Sequence, residues 1–327
     1  MTLNISIITP SYNQAQYLEQ TIVSVLSQNY QNLEYIIIDG GSTDDSVNII
    51  KKYEKYLAYW VSEPDKGQSH AINKGIQRAT GDVINWLNSD DYLERDALKH
   101  IAWHFDNDTT MVLCGRSRRV KDHQTVDISH GTDIYAGNLE KTIGQARIDQ
   151  PETWFRKSAW DKIGILNTNL HYLMDREWWV RYLLQFGLKG VVVSDEVLVN
   201  FRLHETSKTV AESKEFQVDH DSIFFNLAKC YGFDTIAELI QSICKLNPNY
   251  TFQKINNVTH ELVEGCLNYY LLHRAHEFYY QGERRNCIAF LKKIKPHILD
   301  KENNRLMQKI SFRNSFMINK LANVFRS

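Results

Sequence analysis

The sequence predicts an α/β fold: a mostly parallel sheet flanked by helices, with an all-helical region after it. Three observations carry that expectation. Short apolar runs alternate with helix-period segments from Ile5 to Leu87, which implies right-handed βαβ units. Each apolar run ends in a polar or acidic cluster, so the clusters gather at one edge of the sheet, where open α/β folds bind ligands. From about Thr209 the strand signals fade and helical periodicity takes over. The expected domains are 1–209 and 210–327.

The elements follow in order. Ile5–Thr9 reads as a first strand closed by Pro10, and Asn13 can cap the helix carrying Tyr17, Leu18, Ile22, Val25 and Leu26. Glu34–Ile38 is a second strand ending at Asp39-Gly40-Gly41. Asp44 to about Tyr56 reads as helix, Ala58–Ser62 as a short strand, and Gln68–Ala79 as a helix stopped by Gly81. Val83–Leu87 is a strand interrupted by Asn85. The stretch from Arg95 to Asp149 is less regular, with a helix at Leu98–Phe105 and a strand at Met111–Cys114. Ile148–Phe155 reads as extended, Asp175–Phe186 as helix, and Gly190–Val193 and Val197–Phe201 as strands. The helical region holds Lys214–Cys230, Ile236–Lys245, Glu261–Gln281, Glu283–Ile294 and Asn303–Phe325.

Bulk properties narrow the class. The 327 residues are 43% hydrophobic and 24% charged, with net charge −1, so global charge gives no argument for nucleic acid. Five scattered cysteines without a CxxC pair suggest neither a zinc site nor a disulfide framework. A reducing, cytoplasmic compartment fits best. The N-terminus shows no signal-peptide pattern, and no apolar run approaches the length of a membrane span.

The chemistry centres on Asn88-Ser89-Asp90-Asp91 at the end of the fourth apolar run. Carboxylates crowded at a strand mouth repel one another unless a cation sits between them, and oxygen ligands suit Mg²⁺ or Mn²⁺. The same acids could instead cap the next helix. Four other clusters stand in register with this one: Thr9-Pro10-Ser11-Tyr12-Asn13, Asp39-Gly40-Gly41-Ser42-Thr43-Asp44, Asp65-Lys66-Gly67, and Asn73-Lys74-Gly75.

In order and spacing these five motifs resemble family 2 glycosyltransferases of GT-A fold, a Rossmann-like architecture, over about the first 210 residues. The resemblance implies inverting transfer of a sugar from a nucleotide-diphosphate donor, UDP-sugar first, to a hydroxyl of a glycan or lipid-linked acceptor in surface polysaccharide synthesis. It implies donor contacts from Thr9, Pro10, Tyr12, Asp39, Asp65, Gly67, Asn73, Asn88, Ser89 and Asp90. It also implies a divalent cation, Mn²⁺ or Mg²⁺, held by Asp90, Asp91 and His204. Asn88 replaces the first Asp of the family's DxD pattern, Ile72 stands where many relatives carry Arg, and His70 where close relatives often carry an acid. On the acceptor side the resemblance assigns Asp175 as general base, with Glu177 as the competing acid, and places Gln150 and Trp178 near the acceptor. Helical capping by Asp175 is compatible with that role. Trp178 and Trp179 are adjacent, so one is expected in the core and the other open to a sugar ring. A nucleotidyltransferase and a non-catalytic nucleotide-sugar-binding protein remain the alternatives.

Two further features have bland and functional readings. Arg116, Arg118 and Arg119 read as a solvated face or as contacts for an anionic acceptor. Met317, Leu321, Val324 and Phe325 form one helical face with basic neighbours, which reads as packing on the preceding helices or as peripheral membrane contact.

Overall fold

The computed structural model describes the backbone of residues 3–145, 147–204 and 213–324. It divides into two compact units, 1–134 with 147–216, and 135–146 with 217–327.

In the first unit the elements run β1 (Ile5–Ser11), α1 (Ala15–Leu26), β2 (Leu33–Asp39), α2 (Ser46–Tyr53), β3 (Tyr59–Ser62), α3 (Gln68–Arg78) and β4 (Val83–Trp86). Strands β3, β2, β1 and β4 lie side by side and parallel. Alternate residues of β1 and β2 serve one face: Ile5, Ile7, Tyr35 and Ile37 pack with Leu18, Ile22 and Val25 of α1. On α3, Gly75 comes so close to β1 that a Cβ there would lie 2.4 Å from Ile8 Cγ2. Gly81 does not stop α3, which ends at Arg78. Its Cβ would meet Ser6, so close backbone approach explains this glycine.

Beyond β4 the mostly parallel sheet becomes mixed. After β5 (Tyr92–Leu93) and α4 (Ala97–His104) come β6 (Val112–Lys121) and β7 (Gln124–Ile128), an antiparallel hairpin. The expected strand at Met111–Cys114 is therefore only the start of β6. β8 (Thr153–Arg156) lies antiparallel between β4 and β6. Then follow α6 (Lys157–Ile163), α7 (Met174–Phe186) and β9 (Val191–Arg202). β9 runs parallel to β6 as one strand with register shifts, where the sequence suggested two. Because β6 and β9 point the same way as β4, the C-terminal end of β9 reaches the same sheet edge as Asn88–Asp91.

The second unit contains α5 (Leu139–Gln145), α8 (Ser213–Cys230) from Gln217 onward, α9 (Asp234–Ile243), α10 (His260–Tyr280), α11 (Arg284–Leu291) and α12 (Lys301–Val324). Helices α5 and α10 cross closely through two glycines: a Cβ on Gly144 would strike the Cys266 carbonyl, and one on Gly265 would strike Glu140. A buried Asp221–Arg274 pair at 2.8 Å and the Tyr270 hydroxyl on Asp221 at 2.7 Å link α8 to α10. The face expected at Met317, Leu321, Val324 and Phe325 lies outside the described side chains. Among the described residues no helix is long and apolar enough to cross a membrane.

Candidate active site

The loops after β1 and β2 are stitched together before they meet any ligand. Asp39, fully buried at the end of β2, accepts from the Gly41 and Ser42 amides at 3.1 and 2.9 Å. The Ser42 and Ser62 hydroxyls donate to it at 2.5 and 2.7 Å. Gly41, at φ +83°, supplies the left-handed turn this wrapping needs. Asn13 is not a helix cap. It adopts φ +52° and accepts from the Thr43 amide at 2.8 Å, while Asp44 receives the Ala15 amide at 2.9 Å. A carboxylate from the second loop thus serves the N-terminus of α1, where anionic oxygen is favoured.

These loops border a cleft of about 740 Å³ at the C-terminal edge of the parallel strands. Pro10, Tyr12, Asp65, Gly67, Asn88, Ser89, Asp90 and Asp91 all line it, as the motifs implied. Tyr12 is exposed and free to lie against a ring. Gly67 (φ +105°) precedes α3, and its amide donates to Asp65 at 2.7 Å. Ser11, Gln14, Gln68 and Phe201 also line the cleft, and the sequence reading gave none of them a role of its own. Gln68 is the informative one, because its amide donates to Asn88 Oδ1 at 2.8 Å.

The acidic floor is built from two strand ends. His204, just past β9, has Nε2 2.9 Å from Asp90 Oδ2, and its ring lies 4.8 Å from that of Tyr17. Arg202 donates from its backbone to Asp91 Oδ1 at 2.9 Å and from its guanidinium to the Asp90 carbonyl at 2.8 Å. The guanidinium also sits over the Tyr17 ring at 4.7 Å. Sequence reading passed over Arg202, which orders both acids. Asp91 is buried, and its Oδ2 has no donor at hydrogen-bond geometry. Burial first, and the Asp90 charge second, push its carboxyl well above the usual range. Among the described residues no three Asp, Glu, His or Cys side chains form a metal-holding group. Asp90 and His204 therefore offer a hard cation two side-chain donors, and the rest of its coordination would have to come from ligand oxygens.

Several residues implied as ligands do not line the cleft. Thr9 is buried against the Tyr35 hydroxyl at 3.1 Å. Asn73 is buried, donating to the Leu166 carbonyl and accepting from the Leu166 amide, both at 2.9 Å. Gln150 is buried, donating to Asn85 Oδ1 at 2.7 Å and to the Trp86 carbonyl at 2.9 Å. Glu177 is fully buried in a two-bond ion pair with Arg181 at 2.9 Å. Trp178 and Trp179 are each 1% exposed, so neither offers a floor to a sugar. The one-in, one-out expectation fails because α7 is covered around most of its circumference: every residue from Arg176 to Leu184 is buried. Trp178 packs on Trp160 with ring centroids 4.0 Å apart, and Trp179 stacks on Tyr182 at 5.1 Å.

Asp175 occupies the first turn of α7, whose N-cap position is Leu173. It does not line the cleft. Its Oδ1 accepts its neighbour's amide, from Arg176, at 2.7 Å. Burial raises its carboxyl to about 6 against that hydrogen bond, and the charge of Asp149 adds to the rise. Glu152, close by in sequence to Gln150, is also pushed up to about 8, by burial first and then by Asp149.

Residues 6–164 match the family profile described as Glycosyl transferase family 2. An uncharacterized glycosyltransferase of Rickettsia typhi is 28% identical over 217 residues, covering 63% of this chain and 65% of that protein. A putative teichuronic acid biosynthesis glycosyltransferase of Bacillus subtilis is 35% identical over 129 residues, covering 38% of this chain and 50% of the other. The matches thus span about two thirds of these curated relatives at most. The crystal structure of S. aureus TarS 1–349 superposes with a TM-score of 0.59 at 18% identity, over 95% of this chain and 89% of that one. This likeness shows the fold.

Proposed function

We propose that the chain is a family 2 glycosyltransferase, an inverting, cation-dependent transferase using a nucleotide-diphosphate sugar, UDP-sugar first, and the family profile over residues 6–164 supports this. The observation that carries this reading is the cleft itself. Asn88, Asp90 and Asp91 from β4 meet His204 from β9 opposite Tyr12 and Asp65, at the edge where α/β folds bind ligands. TarS 1–349 of the same fold has been crystallised with UDP and with UDP-GlcNAc. The Bacillus relative's name supports a glycan acceptor of the cell surface. All five cysteines are free, which suits a cytoplasmic site of action.

In this reading Tyr12 lies against the base, and Asp65, Asn88 and Ser89 hold the ribose and diphosphate. Asp39 acts indirectly, by shaping the turn under the base. Asp90 and His204, with Asp91 held behind them by Arg202, would bind Mg²⁺ or Mn²⁺, which would supply positive charge to the departing diphosphate. The acceptor hydroxyl attacks the anomeric carbon, the bond from that carbon to the phosphate oxygen breaks, and Asp175 takes the hydroxyl proton. A carboxylate near pKa 6 is ionised at neutral pH yet basic enough for that transfer. The test is calorimetry of UDP with and without Mn²⁺, beside UDP release from UDP-sugars. Cation-dependent binding that disappears in Asp90→Ala is expected. Equal binding by Asp90→Ala at low Mn²⁺ would sink the assignment.

A further inference from the structure

Four consecutive backbone carbonyls, from the last residue of α6 into the segment that leads to α7, are taken by side chains arriving from two directions. The Ile163 and Ile165 carbonyls accept from Arg181 at 2.7 and 2.8 Å, and the Gly164 carbonyl from the Trp178 indole at 2.7 Å. All three bonds come from α7. The Leu166 carbonyl accepts from Asn73 of α3 at 2.9 Å, and the Leu166 amide donates back to the same side chain. One turn away on α3, the Ser69 hydroxyl donates to the Leu170 carbonyl at 3.3 Å. Ser69 and Asn73 are four residues apart and share a helix face. Gln68 and Ala71 on another face of the same two turns line the cleft, and Gln68 holds Asn88. Past Leu170 the segment enters α7, whose first turn carries Asp175.

We infer that residues 163–170 form a strap that couples the donor cleft to Asp175, with Asn73 and Arg181 as positioning residues. The inference rests on the reading of the cleft proposed above. Asn73, Arg181 and Glu177 are 4%, 1% and 0% exposed, so water cannot replace the bonds they make. Glu177 keeps Arg181 fixed from one turn away on the same helix. A nucleotide that settles α3 against the cleft therefore also settles the segment that delivers the base. Asn73 acts on transfer through Asp175 without touching the donor.

The experiment is hydrogen exchange on the full chain with UDP and Mn²⁺ as probes, beside UDP release from UDP-GlcNAc with water as acceptor. In the wild type, UDP slows exchange both around 67–73 and across 166–177. In Asn73→Ala the first protection persists and the second is lost. UDP affinity stays within about threefold, while turnover falls about tenfold or more at unchanged KM, because a misplaced base costs rate and not binding. The milder Ser69→Ala moves the same readouts in the same direction, and it decides the matter if Asn73→Ala does not fold. Protection that spreads equally across 166–177 in wild type and both variants overturns the coupling alone. A raised KM with unchanged turnover also overturns it, by making Asn73 a donor ligand. A wild-type chain that does not bind UDP overturns the reading of the cleft and the coupling with it.

Discussion

The loops around the cleft and helix α7 handle charge in opposite ways. Around the cleft, Asp65, Asn88 and Asp90 lie in loops held by the Gly67 amide, Gln68 and His204 respectively, with open space before them. Around α7 and β8 most charges are sealed, Glu177 against Arg181 and Glu152 against the Ser129 hydroxyl at 2.9 Å, while the half-buried Asp175 carries a raised pKa. An open acid can exchange water for a ligand at little cost. A sealed acid must be paired, neutral or strained towards neutrality. The difference teaches that motif residues divide by burial into those that can touch a ligand and those that hold the ones that do.

The sharpest break of this contrast is Asp175→Asn. Transfer should fall by about 10²–10⁴-fold, while donor affinity is unchanged. A second consequence separates this acid from those in the cleft. Its folded pKa, about 6, lies above its unfolded value. Its contribution is therefore favourable at low pH and is lost as pH rises through about 6. Wild-type turnover should climb through that pH, while Asp175→Asn should melt higher than wild type above it. Near-normal turnover by the variant would mean the base is elsewhere.

Glu177→Gln should act on stability first. It leaves Arg181 charged and buried without its partner, which costs about 3–5 kcal/mol. Denaturant midpoints would check this; loss of turnover with an unchanged midpoint would give Glu177 a direct chemical role instead. Glu152 supplies a pH test of the same sealed region. Its pKa of about 8 lies above the unfolded value of 4.5, so stability should decline as pH rises from about 4.5 to about 8 and level off above that. Glu152→Gln should flatten that decline in melting experiments across the range. The smallest effect is expected at the β6–β7 hairpin, where Arg119 pairs with Asp127 at 2.5 Å and Arg116 with Asp195 at 2.5 Å, both partly exposed. Arg119→Gln should change stability by about 1 kcal/mol or less. A larger loss of turnover would give the hairpin a place at the acceptor.

Much of the cleft was legible because its residues are punctuation. Asp39-Gly40-Gly41 and Asn88–Asp91 follow the ends of β2 and β4, and the βαβ rule brings those stops to one edge, although β1 runs through Pro10 to Ser11 and is not closed by the proline. The helices of the second unit were legible from their period, with α8 and α10 each found to within a residue or so. The β6–β7 hairpin and α5 were not, because neither carries a clear apolar repeat. The single sequence also cannot show that 135–146 folds with the residues after 217, since that depends on a helix crossing through Gly144 and Gly265.

By itself the sequence determined the alternation of strands and helices, the edge where the polar clusters meet, and the match of residues 6–164 to the family 2 glycosyltransferase profile. Those rest on local period and on motifs in register. Only the tertiary structure decided that Asn73, Gln150 and Glu177 are fastened inside, that Trp178 and Trp179 are both buried, and that Arg202 orders Asp90 and Asp91. The reason is physical. A side chain's partner is set by what lies across a contact, and Leu166 is 93 residues from Asn73 and Arg202 is 112 from Asp90. No periodicity along the chain carries information about such a neighbour.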